Sequence, residues 1–326
     1  MSLPSWLQFR GFLTLQANES QHAAPACALC GSRDVAIREA IDVAELNTKY
    51  RHNFGVEEAL RSSEMNYCAC RTCGLGFFDP METGDESLYE RLQSFDWYYM
   101  ADKYEYAIAL KHLPAEGRVL EVGAGKAAFA GVVGANRYTG LEFNDRAIDR
   151  ASRAGIRLIK ETVESHSGSG YTYDAVVSFQ VLEHVADPAG FIRGCVRCLN
   201  LGGHLIIAVP AHDGFSGKAL NHILDMPPHH VTHWSERTLK WLASQFNLEL
   251  LAIEYEPVAS YHRQWASKVI LESRLRKFFG MRQCLLDYSF RGISVAKLAT
   301  VMARLFRPRI DDLKGHTVIA AYRKVG

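Results

Sequence analysis

From about residue 117 onward, short continuous runs of apolar residues alternate with longer stretches in which apolar positions recur every three or four residues. Short apolar runs are typical of strands covered on both faces, and the longer stretches are typical of helices packed against them. This alternation predicts an α/β fold, with a doubly wound and mostly parallel sheet of seven strands. The predicted strands cover residues 119–122, 138–142, 156–159, 174–179, 204–209, 248–255 and 317–322.

Helical stretches are predicted between these strands and in one insertion. Asn144 or Asp145 is the expected N-cap of a helix over 146–154, because such side chains accept hydrogen bonds from the first free backbone N–H groups. Two helices over 264–279 and 293–306 are predicted as an insertion before the last strand. The buried face of the second is predicted from apolar residues at helical spacing, namely Val295, Leu298, Met302 and Leu305.

A glycine-rich turn follows the first predicted strand. The chain reads Glu121-Val122-Gly123-Ala124-Gly125 there. Glycines let the backbone approach a ligand, and Glu142 at the end of the second predicted strand can accept hydrogen bonds from ribose hydroxyls. A carboxylate before the glycines disfavours a phosphate and favours a cofactor that carries a cation. The pattern predicts a site for an adenosine-containing cofactor at the carboxyl edge of the sheet.

Two copies of the pattern Cys-x-x-Cys-Gly lie near the start of the chain. The first contains Cys27 and Cys30, and the second contains Cys70 and Cys73. Two such pairs can complete a tetrahedral site of four thiolates, and this closed ligand set is typical of structural zinc. Cys68 is close enough in sequence to replace Cys70 in that set. We therefore predict a zinc ion that stabilises the fold and takes no part in chemistry.

Composition and charge add two expectations. The chain is 48% hydrophobic and 22% charged, and no apolar run reaches the length of a membrane span. Its start lacks the features of a signal peptide, so a cytoplasmic protein is expected. Residues 261–310 hold eleven Lys or Arg against two carboxylates. Such a segment suits a solvated helical face docked on acidic neighbours, or an anionic partner such as a nucleotide sugar, nucleic acid or lipid surface.

Several motifs, in order along the chain, resemble those of class I S-adenosylmethionine-dependent methyltransferases. The resemblance covers roughly residues 104–251 and implies that fold, S-adenosylmethionine as cofactor and methyl transfer as the reaction. One departure is Ala127, where the family often has a third glycine. The motifs are Glu121-x-Gly-x-Gly, Glu142, the segment Phe179-Gln180-Val181-Leu182-Glu183-His184-Val185, and Leu201-Gly202-Gly203.

The resemblance also implies which residues bind the cofactor. The glycine turn would line its methionine end, the carboxylate after the second strand and its neighbour would hold the ribose side, and the residues ending the fourth strand would lie beside the sulfonium. In that order, they are Glu121, Gly123, Ala124, Gly125, Glu142, Phe143, Phe179 and Gln180. A subgroup of these enzymes carries an N-terminal zinc-binding domain with the same cysteine pattern. It includes deoxysugar C-methyltransferases and many enzymes encoded with polysaccharide biosynthesis.

A histidine-rich loop follows the fifth predicted strand. It reads Asp225-Met226-Pro227-Pro228-His229-His230-Val231-Thr232-His233-Trp234. Loops at this end of a doubly wound sheet face the ligand crevice, and histidine is suited to move a proton near neutral pH. The loop resembles a His-Glu-His segment of deoxysugar C-methyltransferases whose second histidine is the base.

His230 matches that base by position, and His229 stands where those enzymes have Glu. The catalytic candidates are therefore His230 and His229, and the departure supports O-methylation of a sugar at least as well as C-methylation. A metal site formed by His229, His230 and His233 is an alternative, although the spacing offers no clear carboxylate partner.

We expect methyl transfer to a small molecule or glycan, above all to a hydroxyl or carbon of a nucleotide sugar or surface polysaccharide. There are two alternatives. One is an RNA methyltransferase, and the other is a non-catalytic subunit that binds the cofactor and acts through a partner. We expect no DNA partner and no transmembrane segment, and a homodimer through the insertion is one expected assembly. Tyr98 and Tyr104 are candidates for the wall of the substrate site.

The domain organisation predicted from these features has six parts. They are an N-terminal extension (1–26), a zinc-binding module (27–80), a helical linker or cap (81–116), the cofactor-binding core (117–257), the basic helical insertion (258–310) and the final strand of the core (311–326).

Overall fold

The structure is a computed structural model, and it describes residues 25–93, 95, 103–306 and 308–326. Most of the predicted N-terminal extension, and Tyr98, lie outside the described residues. The N-terminal part builds a small antiparallel sheet with one helix packed on it. In chain order its elements are β1 (Val35–Ile41), α1 (Val43–Phe54), β2 (Met65–Cys70) and β3 (Gly76–Asp79), followed by α2 (Glu86–Gln93) and α3 (Tyr104–His112).

The remaining residues form strands and helices in alternation, as the apolar pattern predicts. Strands and helices are β4 (Val119–Val122), α4 (Ala130–Val133), β5 (Tyr138–Leu141), α5 (Asp145–Arg153), β6 (Leu158–Ile159), α6 (Val163–His166), β7 (Tyr173–Phe179), α7 (Pro188–Arg197), β8 (Leu199–Pro210), β9 (Thr232–His233), α8 (Glu236–Gln245), β10 (Leu248–Tyr255), α9 (Arg263–Phe278), α10 (Phe290–Leu305) and β11 (Thr317–Lys324).

Seven of these strands form one sheet in the order β10-β11-β8-β7-β4-β5-β6. All neighbours pair in parallel except at β11, which is antiparallel to both of the strands beside it. The predicted seven-stranded, mostly parallel sheet is therefore confirmed. The third predicted strand is shortened to two residues, and β8 begins five residues earlier than predicted. The carboxyl ends of β4, β5, β7 and β8 lie at one edge, where a ligand crevice is expected.

The apolar runs are continuous because both faces of this sheet are covered. Every residue of β4 is buried. In the neighbouring strand Val176 belongs to the core on one face, while Val177 belongs to the core on the other. Side chains that alternate between two buried faces make these strands mostly apolar, and polar residues within them, such as Glu121, are buried.

The strand β9 joins the histidine-rich loop to the N-terminal sheet, whose order is β1-β2-β3-β9. His233 pairs with Gly76, and Thr232 pairs with Phe77, in antiparallel register. The indole N–H of Trp234 donates to the hydroxyl of Thr232 at 2.9 Å. The loop after β8 is thus fixed between the two sheets rather than extended into solvent.

The insertion consists of α9 and α10, packed against each other before β11. The predicted buried face of α10 is wrong in part, because Leu298 is 43% exposed and Leu305 is 71% exposed. Small side chains occupy the contact instead, since they let the two helices approach closely. The buried residues of α10 are Gly292, Val295, Ala299 and Ala303. Among the described helices, none has the length and apolar character needed to cross a bilayer.

Candidate active site

The glycine turn is fixed to the end of β5 by backbone hydrogen bonds. The N–H groups of Gly123 and Ala124 both donate to the carbonyl of Leu141 at 2.9 Å. Gly123 has φ 77°, and a Cβ atom built on it would collide with the side chain of Val181. Glycine is therefore required here both for the turn and for close contact with the segment after β7. Ala127 replaces the third glycine but still adopts φ 56°.

Glu142 is held at the carboxyl edge by three backbone donors. One carboxylate oxygen accepts from Gly125 N at 2.7 Å, and the other accepts from Phe143 N at 2.8 Å and Asn144 N at 2.9 Å. Asn144 also caps α5 by accepting from Ala147 N, which settles the predicted choice of cap. The ring of Phe143 is 56% exposed. This edge therefore presents an oriented carboxylate beside an apolar surface.

Glu121 is a buried carboxyl group, only 2% exposed, that accepts a hydrogen bond from the hydroxyl of Tyr138. Burial raises the pKa of Glu121 to about 8, although the hydrogen bond from Tyr138 and the charge of Lys103 act in the opposite direction. Glu105, 5% exposed, lies 4.0 Å from the Lys103 ammonium. Two buried carboxyl groups near a single lysine give a site that suits a cationic ligand.

Phe179 and Gln180 end β7, but their side chains lie in different surroundings. Phe179 is 4% exposed, and its ring packs 5.1 Å from Tyr106 and 5.0 Å from Phe129, measured between ring centroids. Gln180 has φ 57°, a conformation that non-glycine residues rarely adopt, and its amide lies 3.4 Å from the hydroxyl of Thr317. Gln180 therefore supplies a polar amide at this edge, whereas the ring of Phe179 belongs to the apolar core.

Four polar side chains meet beyond this edge, and we call Glu183, His184, His229 and His230 the histidine cluster. The Glu183 carboxylate lies 3.8 Å from Nε2 of His184 and 4.0 Å from Nε2 of His230. The loop is attached to the turn after β7 because Val231 N donates to the carbonyl of Glu183 at 2.9 Å. Tertiary structure thus brings together residues about 45 positions apart.

The proton positions within the cluster follow from the partners of each imidazole. Nδ1 of His229 contacts the carbonyl of Leu224 at 2.8 Å, and Nδ1 of His184 contacts the carbonyl of His229. A carbonyl can only accept, so these Nδ1 atoms carry hydrogen in the neutral rings. Burial lowers the pKa of His184 to about 3 and the pKa of His229 well below its usual range, so both rings are neutral.

The carboxylate of Asp225 is the partner that sequence analysis missed. It lies 2.9 Å from Nδ1 of His230 and 3.5 Å from Nε2 of His233. Although burial would raise its pKa, the neighbouring His233 and His230 hold the pKa of Asp225 well below its usual range. The expectation that the loop lacks a carboxylate partner is therefore wrong. The separation of five residues matches neither helical nor strand spacing, so only the loop conformation reveals the pair.

The predicted cysteine ligands converge in the N-terminal part. The Sγ atoms of Cys27 and Cys73 are 3.6 Å apart, and those of Cys30 and Cys70 are 3.5 Å apart. All four sulfur atoms lie within 4.8 Å of one another. Cys68 is buried but is absent from this group, and its thiol contacts a backbone carbonyl. The donor set and spacing are those that a tetrahedral zinc site requires.

Imidazoles of the histidine cluster could also hold a metal ion. One ring nitrogen from each of His184, His229 and His230 lies within 4.8 Å of the others. Ring nitrogens directed away from the group are held by carbonyl or carboxylate partners, as is common around bound metals. The cluster can therefore serve either as a proton acceptor or as a ligand set.

Acid is expected to destabilise the fold through His316, a desolvated histidine near His262 and Trp265. Desolvation lowers the pKa of His316 to about 4. As pH falls below about 6.5 the unfolded chain binds a proton that the native chain does not, so the native state loses at most roughly 3 kcal/mol by pH 4.

Urea unfolding of the wild type and of His316→Gln between pH 7.5 and pH 4.5 measures this contribution. The wild type should lose stability relative to the variant only below about pH 6.5. A constant difference between the two proteins across that range would contradict the assignment.

Comparison with known proteins identifies the family. The profile of a methyltransferase domain family matches residues 90–253, which is half of the chain. The ubiquinone biosynthesis O-methyltransferase of Vibrio cholerae is 33% identical over 100 residues, covering 28% of this chain and 41% of that enzyme. The enzyme of the same name from Serratia proteamaculans is 33% identical over 99 residues, with the same coverage. The match thus spans less than half the length of these relatives.

Solved structures include similar folds at low identity. A SAM-dependent methyltransferase from Archaeoglobus fulgidus has a TM-score of 0.49 at 14% identity, covering 74% of this chain and 100% of that one. A possible histamine N-methyltransferase from Thermotoga maritima has a TM-score of 0.45 at 17% identity, covering 73% and 95%. On the family match, the glycine turn and the strand order, this chain belongs to the class I S-adenosylmethionine-dependent methyltransferases.

Proposed function

We propose that this enzyme methylates a sugar, either nucleotide-linked or within a surface polysaccharide, at a hydroxyl or an activated carbon. The observation that carries the proposal is the histidine cluster, with its carboxyl partners, at the carboxyl edge of the sheet. A polyhydroxylated ring offers donors and acceptors that match such a set of polar side chains, whereas an apolar acceptor offers neither. Similarity to enzymes named O-methyltransferases supports oxygen as the acceptor atom.

The residues at the carboxyl edge fit S-adenosylmethionine, which supplies an electrophilic methyl group on a sulfonium. Glu121 and Glu105 would lie at the cationic end of the cofactor, whose positive charge would favour the ionised form of the buried Glu121, and the oriented carboxylate of Glu142 provides an acceptor for ribose hydroxyls. Gly123 and Gly125 let the backbone approach closely. Methyl transfer is an in-line displacement, so these residues contribute by aligning donor and acceptor.

His230 would remove the proton of the acceptor. Its Nδ1 hydrogen is held by the ionised Asp225, so the lone pair is at Nε2, which is directed toward Glu183. Burial raises the pKa of Glu183 to about 8, so this carboxyl group keeps its proton near neutral pH and does not compete for the acceptor's proton. After the proton moves to Nε2, Asp225 stabilises the imidazolium. His229 would support this arrangement through its stacking on the His230 ring.

We also propose that Cys27, Cys30, Cys70 and Cys73 bind a structural zinc ion. The convergence of four thiol groups supports this proposal, and a complete set of four protein ligands leaves no position for a substrate. Because β3 pairs with β9, zinc bound in this sheet would also hold the histidine-rich loop in place.

Transfer of labelled methyl groups tests the proposed function. Purified enzyme with methyl-labelled S-adenosylmethionine would be incubated with fractionated host extract, alongside the His230→Ala variant. Label in a nucleotide-sugar or glycan fraction that disappears in the variant would support the proposal. Label in RNA would favour an RNA methyltransferase, and transfer only after adding a protein fraction would favour a partner-dependent subunit.

Substitution of Glu142 by Gln is expected to weaken binding of S-adenosylmethionine by roughly 10-fold to 100-fold. The amide keeps the size of the side chain and one acceptor, but it removes the charge that strengthens hydrogen bonds from the ribose. Calorimetric titration with the cofactor measures the effect. Glu249→Gln, at an exposed ion pair with Arg323, is the matched control. An unchanged dissociation constant in Glu142→Gln would contradict the assignment.

A further inference from the structure

The helix α10 presents an uncovered apolar face on the side opposite its contact with α9. At 100° per residue, its buried positions centre near Ala299, and Phe290, Val301 and Leu305 project to the other side. These three side chains are 86%, 52% and 71% exposed, respectively. Three large apolar residues exposed on one side of a helix, with Phe290 at one end and Val301 and Leu305 near the other, are unlike the scattered single residues of an ordinary surface.

More exposed apolar side chains stand at the ends of the two helices. Phe278 ends α9, Phe279 follows it, and Phe306 follows α10, with exposed fractions of 81%, 47% and 62%. Ile293 and Leu298, 41% and 43% exposed, flank the uncovered face of α10. The insertion therefore concentrates eight exposed large apolar side chains within about 30 residues.

Positive charge accompanies these apolar residues. The two carboxylates of the insertion are already paired, Glu272 with Lys268 at 3.2 Å and Asp287 with the buried Arg276 at 2.6 Å. In the part of the chain that the structure describes, several exposed cations of the insertion form no ion pair within 4 Å. They are Arg274, Lys277, Arg291, Lys297, Arg304 and Arg309.

The positive charge and the exposed apolar side chains together indicate which kind of partner covers this face. A second copy of the chain in a symmetric dimer would place this basic face against itself, and the like charges would repel. Nucleic acid would satisfy the charge, and the exposed phenylalanines can stack on bases, but the aliphatic side chains of Ile293, Val301 and Leu305 cannot. An anionic bilayer accepts both, because apolar side chains enter the acyl boundary while Lys and Arg stay at the headgroups.

We propose that the exposed face of α10, together with the aromatic ends of the helix pair, docks on the surface of an anionic lipid bilayer. Lys297 and Arg304 project on the same side as Phe290 and Val301, so headgroup contact and apolar insertion occur in one orientation. The helix lies in the membrane surface and does not cross the bilayer. This inference is independent of the proposed acceptor and of His230.

Cosedimentation with vesicles tests the proposal on the full chain. Vesicles of phosphatidylcholine alone would be compared with vesicles containing one-third phosphatidylglycerol, at low and at 0.5 M salt. We expect binding to the anionic vesicles only, and its loss at high salt. The triple variant Arg291→Gln, Lys297→Gln, Arg304→Gln should bind about 100-fold more weakly, because each basic residue near an anionic leaflet contributes roughly fivefold.

A second variant separates apolar insertion from charge. Phe290→Ser, Val301→Ser and Leu305→Ser together should also lose vesicle binding, while cofactor affinity and the thermal transition stay unchanged. The matched control is Leu201→Ser, at a side chain that is 74% exposed outside the insertion. The control should bind vesicles as the wild type does.

Three results would overturn the proposal. The first is equal binding of the wild type and both triple variants to anionic vesicles. The second is that the wild type binds no vesicles but forms a dimer by light scattering, which the serine triple variant abolishes. The third is that the wild type binds no vesicles but binds single-stranded RNA, and the glutamine triple variant loses this RNA binding.

Discussion

Alanine at position 230 is expected to lower kcat by about 10²-fold to 10⁴-fold while leaving the affinity for S-adenosylmethionine unchanged. This range is the usual contribution of a positioned general base. His230 is 8% exposed and its Nδ1 is fixed by Asp225, so the ring is held in one orientation. Steady-state transfer to the identified acceptor gives kcat, and calorimetry gives the cofactor affinity.

Two further variants make the expectation for His230 specific. His52→Ala removes an exposed histidine of α1 and should leave kcat unchanged. Asp225→Asn is close in size to the native residue but removes the charge that stabilises the imidazolium, so it should lower kcat less than His230→Ala. Full activity of His230→Ala would refute the base assignment.

Chelation distinguishes the base from a metal ligand at the same position. With an imidazole as proton acceptor, transfer should survive EDTA as long as any zinc on the cysteines is retained, which elemental analysis would verify. Activity lost to EDTA while the zinc on the cysteines is retained, and restored by Zn²⁺ or Fe²⁺, would instead favour a cation held by His184, His229 and His230.

Replacing Cys73 with Ser is expected to abolish zinc binding and to unfold the N-terminal sheet. Structural zinc binds to small zinc domains with a free energy of about 10–16 kcal/mol. This binding free energy exceeds the free energy of unfolding of most domains. Because Thr232 and His233 pair with Phe77 and Gly76, loss of this sheet should also release the histidine-rich loop and lower transfer activity. Elemental analysis for zinc, far-ultraviolet circular dichroism and the transfer assay report the three effects.

Cys68→Ser is the matched control for Cys73→Ser. Cys68 is equally buried, at 0% exposure, and lies in β2, but its sulfur is outside the four-cysteine group. The control should keep one zinc per chain and most of its activity. Equal zinc content in Cys73→Ser and the wild type would contradict the predicted ligand set.

Local patterns predicted the sheet and its turns well, and failed where two helices meet. Asn144 is recognisable as a cap because its partner, the N–H of Ala147, is three residues away. Leu298 and Leu305 were assigned to the wrong face of α10, since this helix carries large apolar residues on both sides. Close approach of α9 selected Ala299 and its small neighbours for the contact, and no helical periodicity contains that information.

The sequence by itself determined the strands of the seven-stranded sheet, the glycine turn and the carboxylate after the second of those strands, because continuous apolar runs and turn geometry depend on residues adjacent in the chain. Tertiary structure alone decided that Asp225 orients His230, that Glu183 faces it, and that β9 joins the loop to the cysteine-bearing sheet. These contacts join residues from different loops and sheets. Their distances are set by how whole elements pack, and no local pattern in the chain records them.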